Sequence, residues 1–193
     1  MSIYTNIKKR RSIRSYLDKK VKHSDICKVL DAGHYAPSSG NLQNWRFIVV
    51  RDPDTKETVA RCCLEQLWIT EAPVVIVVCS DSTKVKQEYP TKYKKFATQN
   101  CAAATQNMLL QTHALGLASC WVGPPSNLMK FKDNLKIPEN IDVEALITIG
   151  YSNEKPLEKR HKIEEVTYFD KYGKRERDVS LFPLAKHLKK SKK

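Results

Sequence analysis

An α+β fold is what this sequence predicts, on three observations. Helical and strand patterns alternate along the 193 residues, the strands are few and short, and the run "APVVIVVCS" (72–80) is apolar on both faces. A large doubly wound sheet needs many such buried strands, whereas a compact α+β domain needs one at its centre with helices packed around it. The length and a hydrophobic share of 41% suit one domain with a full core, read as residues 1–185 with a basic tail at 186–193.

The elements follow in order. Ser24 is read as the N-cap of a helix that carries Ile26, Val29, Leu30 and Gly33 on one stripe. "WRFIVV" (45–50) is a short strand, closed by "RDPDT", whose Asp and Pro stop it and open a helix over about 55–67. The central strand at 72–80 comes next. The Ala-, Leu- and Gln-rich stretch from about 96 to 115 is a long helix stopped by Gly116. Its Ala102, Ala103 and Ala104 leave room for close approach of another helix, in this chain or in a second subunit. A strand "ASCWV" (118–122), a "GPP" turn, a polar helix from near Ser126 and a strand "EALITIGY" (144–151) complete the pattern.

Composition narrows the function classes. No apolar run approaches the ~20 residues needed to span a bilayer, and the first residues lack a signal-peptide core, so a cytoplasmic protein is expected. The net charge of +13 favours phosphate-bearing ligands, yet five lysines sit in the last eight residues, the pattern of a solubilising tail rather than a nucleic-acid reader. The six cysteines form no C-x-x-C pair and several lie in apolar runs, so they read as buried reduced thiols. Scattered histidines give no metal motif, and no metal site is expected.

No dinucleotide fingerprint, P-loop or nucleophile elbow is present, and no pair of carboxylates stands out for acid–base work. Four other features remain. "RRSIRSY" (10–16) gathers arginine forks and hydroxyls, which describes either a solvated basic face or one wall of a phosphate pocket. Lys159 and Arg160 form a second cationic cluster far along the chain. "APSSGNLQNW" (36–45) is a loop of small hydroxyls and amides, which complement the polar edge of a heterocycle. "SCWVGPP" (119–125) adds backbone groups beside an apolar wall. A phosphate clamp, amide edge-readers and an apolar wall without an acid–base pair describe a flavin mononucleotide site, where the cofactor carries the chemistry.

On these motifs, in this order and spacing, together with "CAAATQNMLLQTHALGLASCWVG", "ITIGYSNEKP" and "KRHKIEEVTYFDKYG", the chain resembles the FMN-dependent nitroreductase family along nearly its whole length. The resemblance implies a small mixed, mainly antiparallel sheet flanked by helices, and an intertwined homodimer with FMN at the subunit interface beside the long helix. It implies that Arg10, Arg11 and Ser12 hold the ribityl phosphate, with Lys159 and Arg160 as a second grip. Arg14 should lie near the ring's N1 and C2 carbonyl. Pro37, Ser38, Ser39 and Asn41 match the loop lent by the partner subunit. Trp121, Val122 and Gly123 match the strand end against the ring, with Arg14 and the Gly123 N–H as electrostatic support. The implied activity takes hydride from NAD(P)H onto flavin N5 and passes electrons to a nitroaromatic, quinone or similar flat acceptor by a ping-pong mechanism. No side chain need serve as a catalytic acid, base or nucleophile.

Two departures stand out. Asn44 occupies the position where the family has proline, and Pro124 removes one backbone N–H after Gly123. Other flavin chemistry, reductive dehalogenation or flavin breakdown, is the alternative within the fold; its relatives differ in the lid, here about 82–95. A basic nucleic-acid-binding protein is the alternative outside it.

Overall fold

The computed structural model describes residues 2–156 and 160–174. The chain divides into two compact units, one running to Pro156 and the other from Leu157 onward. The basic tail at 186–193 and Lys159 lie outside the described residues.

Ten α-helices and β-strands are described in the first unit, in the order α1 (Ile3–Lys9), α2 (His23–His34), β1 (Trp45–Val50), α3 (Pro53–Cys62), β2 (Val74–Ser80), α4 (Thr83–Glu88), α5 (Tyr93–Ala114), β3 (Ala118–Val122), α6 (Leu128–Leu135) and β4 (Asp142–Gly150). The strands form one sheet in the order β1-β2-β4-β3, antiparallel at each of its three pairings. Its parallel component is an isolated bridge from Ser12 to Ser119 on the outer side of β3.

β2 is central, as its two-faced apolarity predicts, and every one of its residues is buried. Strand periodicity splits the core in two. Val74, Ile76 and Val78 face α2 and α5, packing with Ile26, Val29, Ala104 and Met108. Val75, Val77 and Cys79 face α3 and α6, packing with Val59, Ala60 and Phe131. α2 approaches α5 through Gly33, where a Cβ would come within 2.8 Å of Met108 Cγ.

Several boundaries differ from expectation. Ser24 lies inside α2, and Lys22 precedes the helix with no side-chain cap, so burial of the Ile26–Val29–Gly33 stripe rather than capping sets its start. α3 is capped by Asp52, which accepts from Thr55 N–H, and ends at Cys62 rather than 67 because Leu64 and Glu65 take left-handed backbone angles. α6 starts at Leu128, capped by Asn127, while Ser126 bonds to the Cys62 carbonyl. The small residues of α5 serve its own chain in part: Ala104 is fully buried, with Ala102 and Ala103 half-buried.

Gly116, at φ +76°, stops α5 as expected. Gly116 N–H bonds to His113 O and Leu117 N–H to Thr112 O, the paired bonds of a left-handed helix end that feeds directly into β3. The described part of the second unit holds a short turn at Ile163–Glu165 and a tyrosine pair, Tyr168 and Tyr172, with ring centroids 4.7 Å apart.

Candidate functional site

The segment "RRSIRSY" is fixed by its two apolar members. Ile13 and Tyr16 are buried, and the Tyr16 hydroxyl donates to Ile13 O at 2.7 Å while lying 2.6 Å from Thr148 Oγ1. Burial pushes the Tyr16 phenol well above its usual range. Ile13 N–H donates to Ser119 O at 3.0 Å, and the segment crosses the outer edge of β3. It is therefore no free arm. Its apolar residues plug the core and its basic residues are left on the outside.

Beside it opens a cavity of about 460 Å³, lined by Lys8, Lys9, Arg10, Arg11 and Lys155, with Glu154, His113 and Ser119. Five cations face one carboxylate, so the cavity is a place for an anion. The carboxylate is itself engaged: Glu154 Oε2 accepts from Arg14 N–H at 2.8 Å and Ser15 N–H at 2.9 Å. Arg11 is partly committed to ending α1, since its Nη1 donates to the carbonyls of Lys8 and Arg10. His113, in the last turn of α5, carries a buried Nε2 with no hydrogen-bond partner. Burial first, and then Arg10, Lys9 and Arg11, hold its pKa below the ordinary histidine value.

Ser12 bridges to Ser119, which lines the cavity, but Ser12 itself is not among the lining residues. Arg14 does not line the cavity; its guanidinium lies 5.9 Å from the centroid of the Trp68 ring. On β3, the Ser119 carbonyl points to the outer edge, so by strand alternation the backbone groups of Trp121 point there too. Trp121 is 38% exposed, whereas Val122 is buried and, by the same alternation, turns its backbone groups toward β4. Gly123 follows at the strand end with nothing within 4 Å of where a Cβ would stand, an open surface that a flat ring could approach.

The loop at 36–45 is elsewhere. Asn100, on α5, receives Ser39 N–H at 2.9 Å and donates to Ser39 Oγ and to Asn44 Oδ1. Asn44, 2% exposed, donates in turn to Ser80 Oγ at 2.9 Å. The residue that departs from the family's proline is thus the hub of a buried amide network. Ser38 Oγ accepts from Gln43 N–H, Gly40 and Asn41 have left-handed backbones, and Pro37 and Asn41 are exposed. Asn100 and His113 are 13 residues apart on one helix, roughly 20 Å. Within one chain, then, Pro37, Ser38, Ser39 and Asn41 are not brought to the cation cavity. Arg160 is exposed in the second unit.

The lid stretch at 82–95 is half helical. α4 is held down by the fully buried Val85, and Tyr93, half-buried, starts α5 with Lys86 5.6 Å from its ring centroid. Trp45 is a core residue and Tyr35 is exposed. Five cysteines are buried and Cys27 is exposed. Among the described residues no three His, Cys, Asp or Glu side chains gather as a metal site, and no helix is long and apolar enough to cross a membrane. Sequence reasoning missed Lys8, Lys9, His113, Glu154, Lys155 and Asn100. The lysines adjoin recognised clusters, but nothing in the local pattern separates His113 or Asn100 from other polar residues of a long helix.

Comparisons with known proteins agree with this architecture. The family model described as Nitroreductase family matches residues 7–70 and 55–151. An Archaeoglobus fulgidus protein provisionally named NADH dehydrogenase/NAD(P)H nitroreductase is 40% identical over 152 residues, spanning 77% of this chain and 82% of its own. An FMN-dependent nitroreductase from Clostridium difficile R20291 superposes with a TM-score of 0.75 at 30% identity, covering 86% of this chain and 98% of its own. More distantly, an iodotyrosine deiodinase from Thermotoga neapolitana is 22% identical over 187 residues, 83% of this chain and 95% of its own.

Proposed function

Because the chain belongs to the Nitroreductase family, we propose that it is an NAD(P)H-dependent oxidoreductase whose cation cavity beside β3 holds the phosphate of FMN. The observation that carries this is the cavity itself: five cationic side chains and an unpartnered buried imidazole nitrogen, next to the outer edge of a strand that ends in an open glycine. These residues fit the group. The anion matches the charge, and the flat ring matches the unobstructed edge.

FMN, when bound, supplies the centre that accepts and returns hydride. Everything else falls to the chain. Arg10 and Arg11 would neutralise the phosphate, with the Ser12 hydroxyl beside them. Arg14, which lies against the Trp68 ring outside the cavity, would supply positive charge toward the N1 and C2 carbonyl side of the ring, where reduction adds negative charge. Trp121 and Gly123 present backbone and an apolar wall and exclude water from one ring face. The 37–41 loop lies about 20 Å along α5 from the cavity, so a second copy supplies it, which makes the working unit a homodimer. No side chain of the cavity is needed as nucleophile; orientation and preset charge contribute the rate enhancement.

With one ring face covered by the chain, the nicotinamide donor and a flat acceptor, a nitroaromatic or a quinone, would take turns at the other, and ping-pong kinetics are expected. The test is spectroscopic. Purified protein supplied with FMN should be yellow, should bleach when NADH or NADPH is added without oxygen, and should recover colour on addition of a nitroaromatic or quinone. Failure to bind FMN overturns the reading. Bleaching followed by recovery with an iodinated phenol alone would move the acceptor class to reductive dehalogenation.

A further inference from the structure

We propose that His113 is a further cofactor-holding residue of this cavity, one that takes up a proton as a phosphate group arrives and presents its Nε2–H toward the anion. The inference rests on the FMN reading above and adds to it a residue and a pH dependence. Three observations meet at this side chain. His113 lines the cavity from α5. Its Nε2 is shut off from water and has no hydrogen-bond partner, a costly state for a buried polar atom. And the charges that act on it, Arg10, Lys9 and Arg11, are cationic.

Lys8, Lys9, Arg10 and Arg11 face the cavity from the end of α1, Lys155 and Glu154 from the segment after β4, and Ser119 from β3. Without an anion, burial and the surrounding cations favour the neutral ring, so His113 titrates below its ordinary value. A phosphate dianion reverses the local field and gives Nε2 an acceptor, and both changes favour the protonated ring. The phosphate-bound protein therefore holds more protons than the free one between the two titration points. By linkage, affinity for the phosphate rises as pH falls through that interval, by at most about tenfold per pH unit for one proton. The left-handed helix end at Gly116 fixes the backbone on which this ring sits, and because Nε2 itself is closed off from solvent, the imidazole turns about its side-chain bonds to bring the nitrogen to the anion.

The experiment compares FMN with riboflavin, which carries the same ring and ribityl chain without phosphate. Dissociation constants are measured by flavin fluorescence for the wild-type chain, His113→Gln and Arg10→Ala, from about pH 6.5 to about 8, where the phosphate remains largely dianionic. The expected result is that His113→Gln weakens FMN on the order of tenfold near neutral pH, leaves riboflavin unchanged and flattens the pH dependence seen in the wild type. Should His113→Gln keep both the wild-type affinity and its pH slope, the inference is wrong. If Arg10→Ala also leaves FMN binding intact, the FMN placement itself fails; if Arg10→Ala weakens binding and His113→Gln does not, only the role of His113 falls. A measurement on unmutated protein guards against a variant that does not fold. The His113 ring proton resonance, followed by NMR against pH, should titrate below the ordinary histidine range without FMN and above it with FMN, and an identical titration in both states contradicts the proposal.

Discussion

Replacing Asn100 with leucine removes the side chain that ties the 36–45 loop to α5. Asn100 is 5% exposed and makes three short bonds: it receives Ser39 N–H at 2.9 Å and donates to Ser39 Oγ at 3.0 Å and Asn44 Oδ1 at 2.7 Å. Leucine fills the volume but leaves Asn44 Oδ1 buried without a donor, at the full penalty of about 1–3 kcal/mol. Ser39 is half-buried, so its N–H recovers part of its loss from water. The sum is about 2–4 kcal/mol, a large share of the roughly 5–15 kcal/mol by which a domain is stable. Urea unfolding at one fixed protein concentration reads it as a lower midpoint with an unchanged slope. The Asn44→Leu, Asn100→Leu double variant should lose less than the sum of the two singles by about 1 kcal/mol or more, because it deletes both partners of the 2.7 Å bond. A midpoint shift worth less than about 0.5 kcal/mol, or strict additivity, refutes the claim that this network holds the loop.

Gly150→Ala should cost about 1–3 kcal/mol by overpacking, since the new Cβ would lie 2.7 Å from Pro73 Cδ and 2.7 Å from Tyr16 Cδ1, neither of which swings aside; an unchanged melting temperature contradicts this. Ellman's reagent should label one thiol of the native chain, Cys27, and all six after denaturation, because the other five are buried; rapid labelling of a second thiol would show that the core opens. Burial pushes Cys63 and Cys101 up to about 12 and Cys79 up to about 11, from 9.0 in the exposed chain. These thiols thus contribute stability that is complete below pH 9.0 and is lost as pH rises toward 11 and 12, so the alkaline fall in melting temperature should be shallower in Cys63→Ala than in the wild type.

What the sequence makes legible depends on how local the cause is. β1 is found to the residue because its β-branched and aromatic run is bounded by Asn44 and Arg51, and β3 because Gly116 ends the helix before it and Gly123-Pro124 ends the strand. β2 is legible as the central strand because an apolar residue at every position leaves no face for water. Helix ends are less so. Ser24 has the chemistry of an N-cap, yet the buried stripe of α2 starts the helix earlier, and nothing local says that Leu64 and Glu65 turn left-handed. The candidate site divides in the same way. Arg10 and Arg11 announce themselves by density of charge, whereas His113 becomes notable only when the end of α5 and the end of α1 line one cavity. Asn44 is visible as a departure from a familiar pattern, but its buried partners Ser80 and Asn100 are 36 and 56 residues away.

Where the flavin's phosphate is held decides the function proposed for the cavity. Fluorescence titration of Arg10→Ala with FMN and with riboflavin should show FMN affinity reduced by about 1.5–3 kcal/mol, the range for hydrogen bonds to charged groups, and riboflavin affinity unchanged. FMN bound as tightly by Arg10→Ala as by the wild-type chain would contradict it.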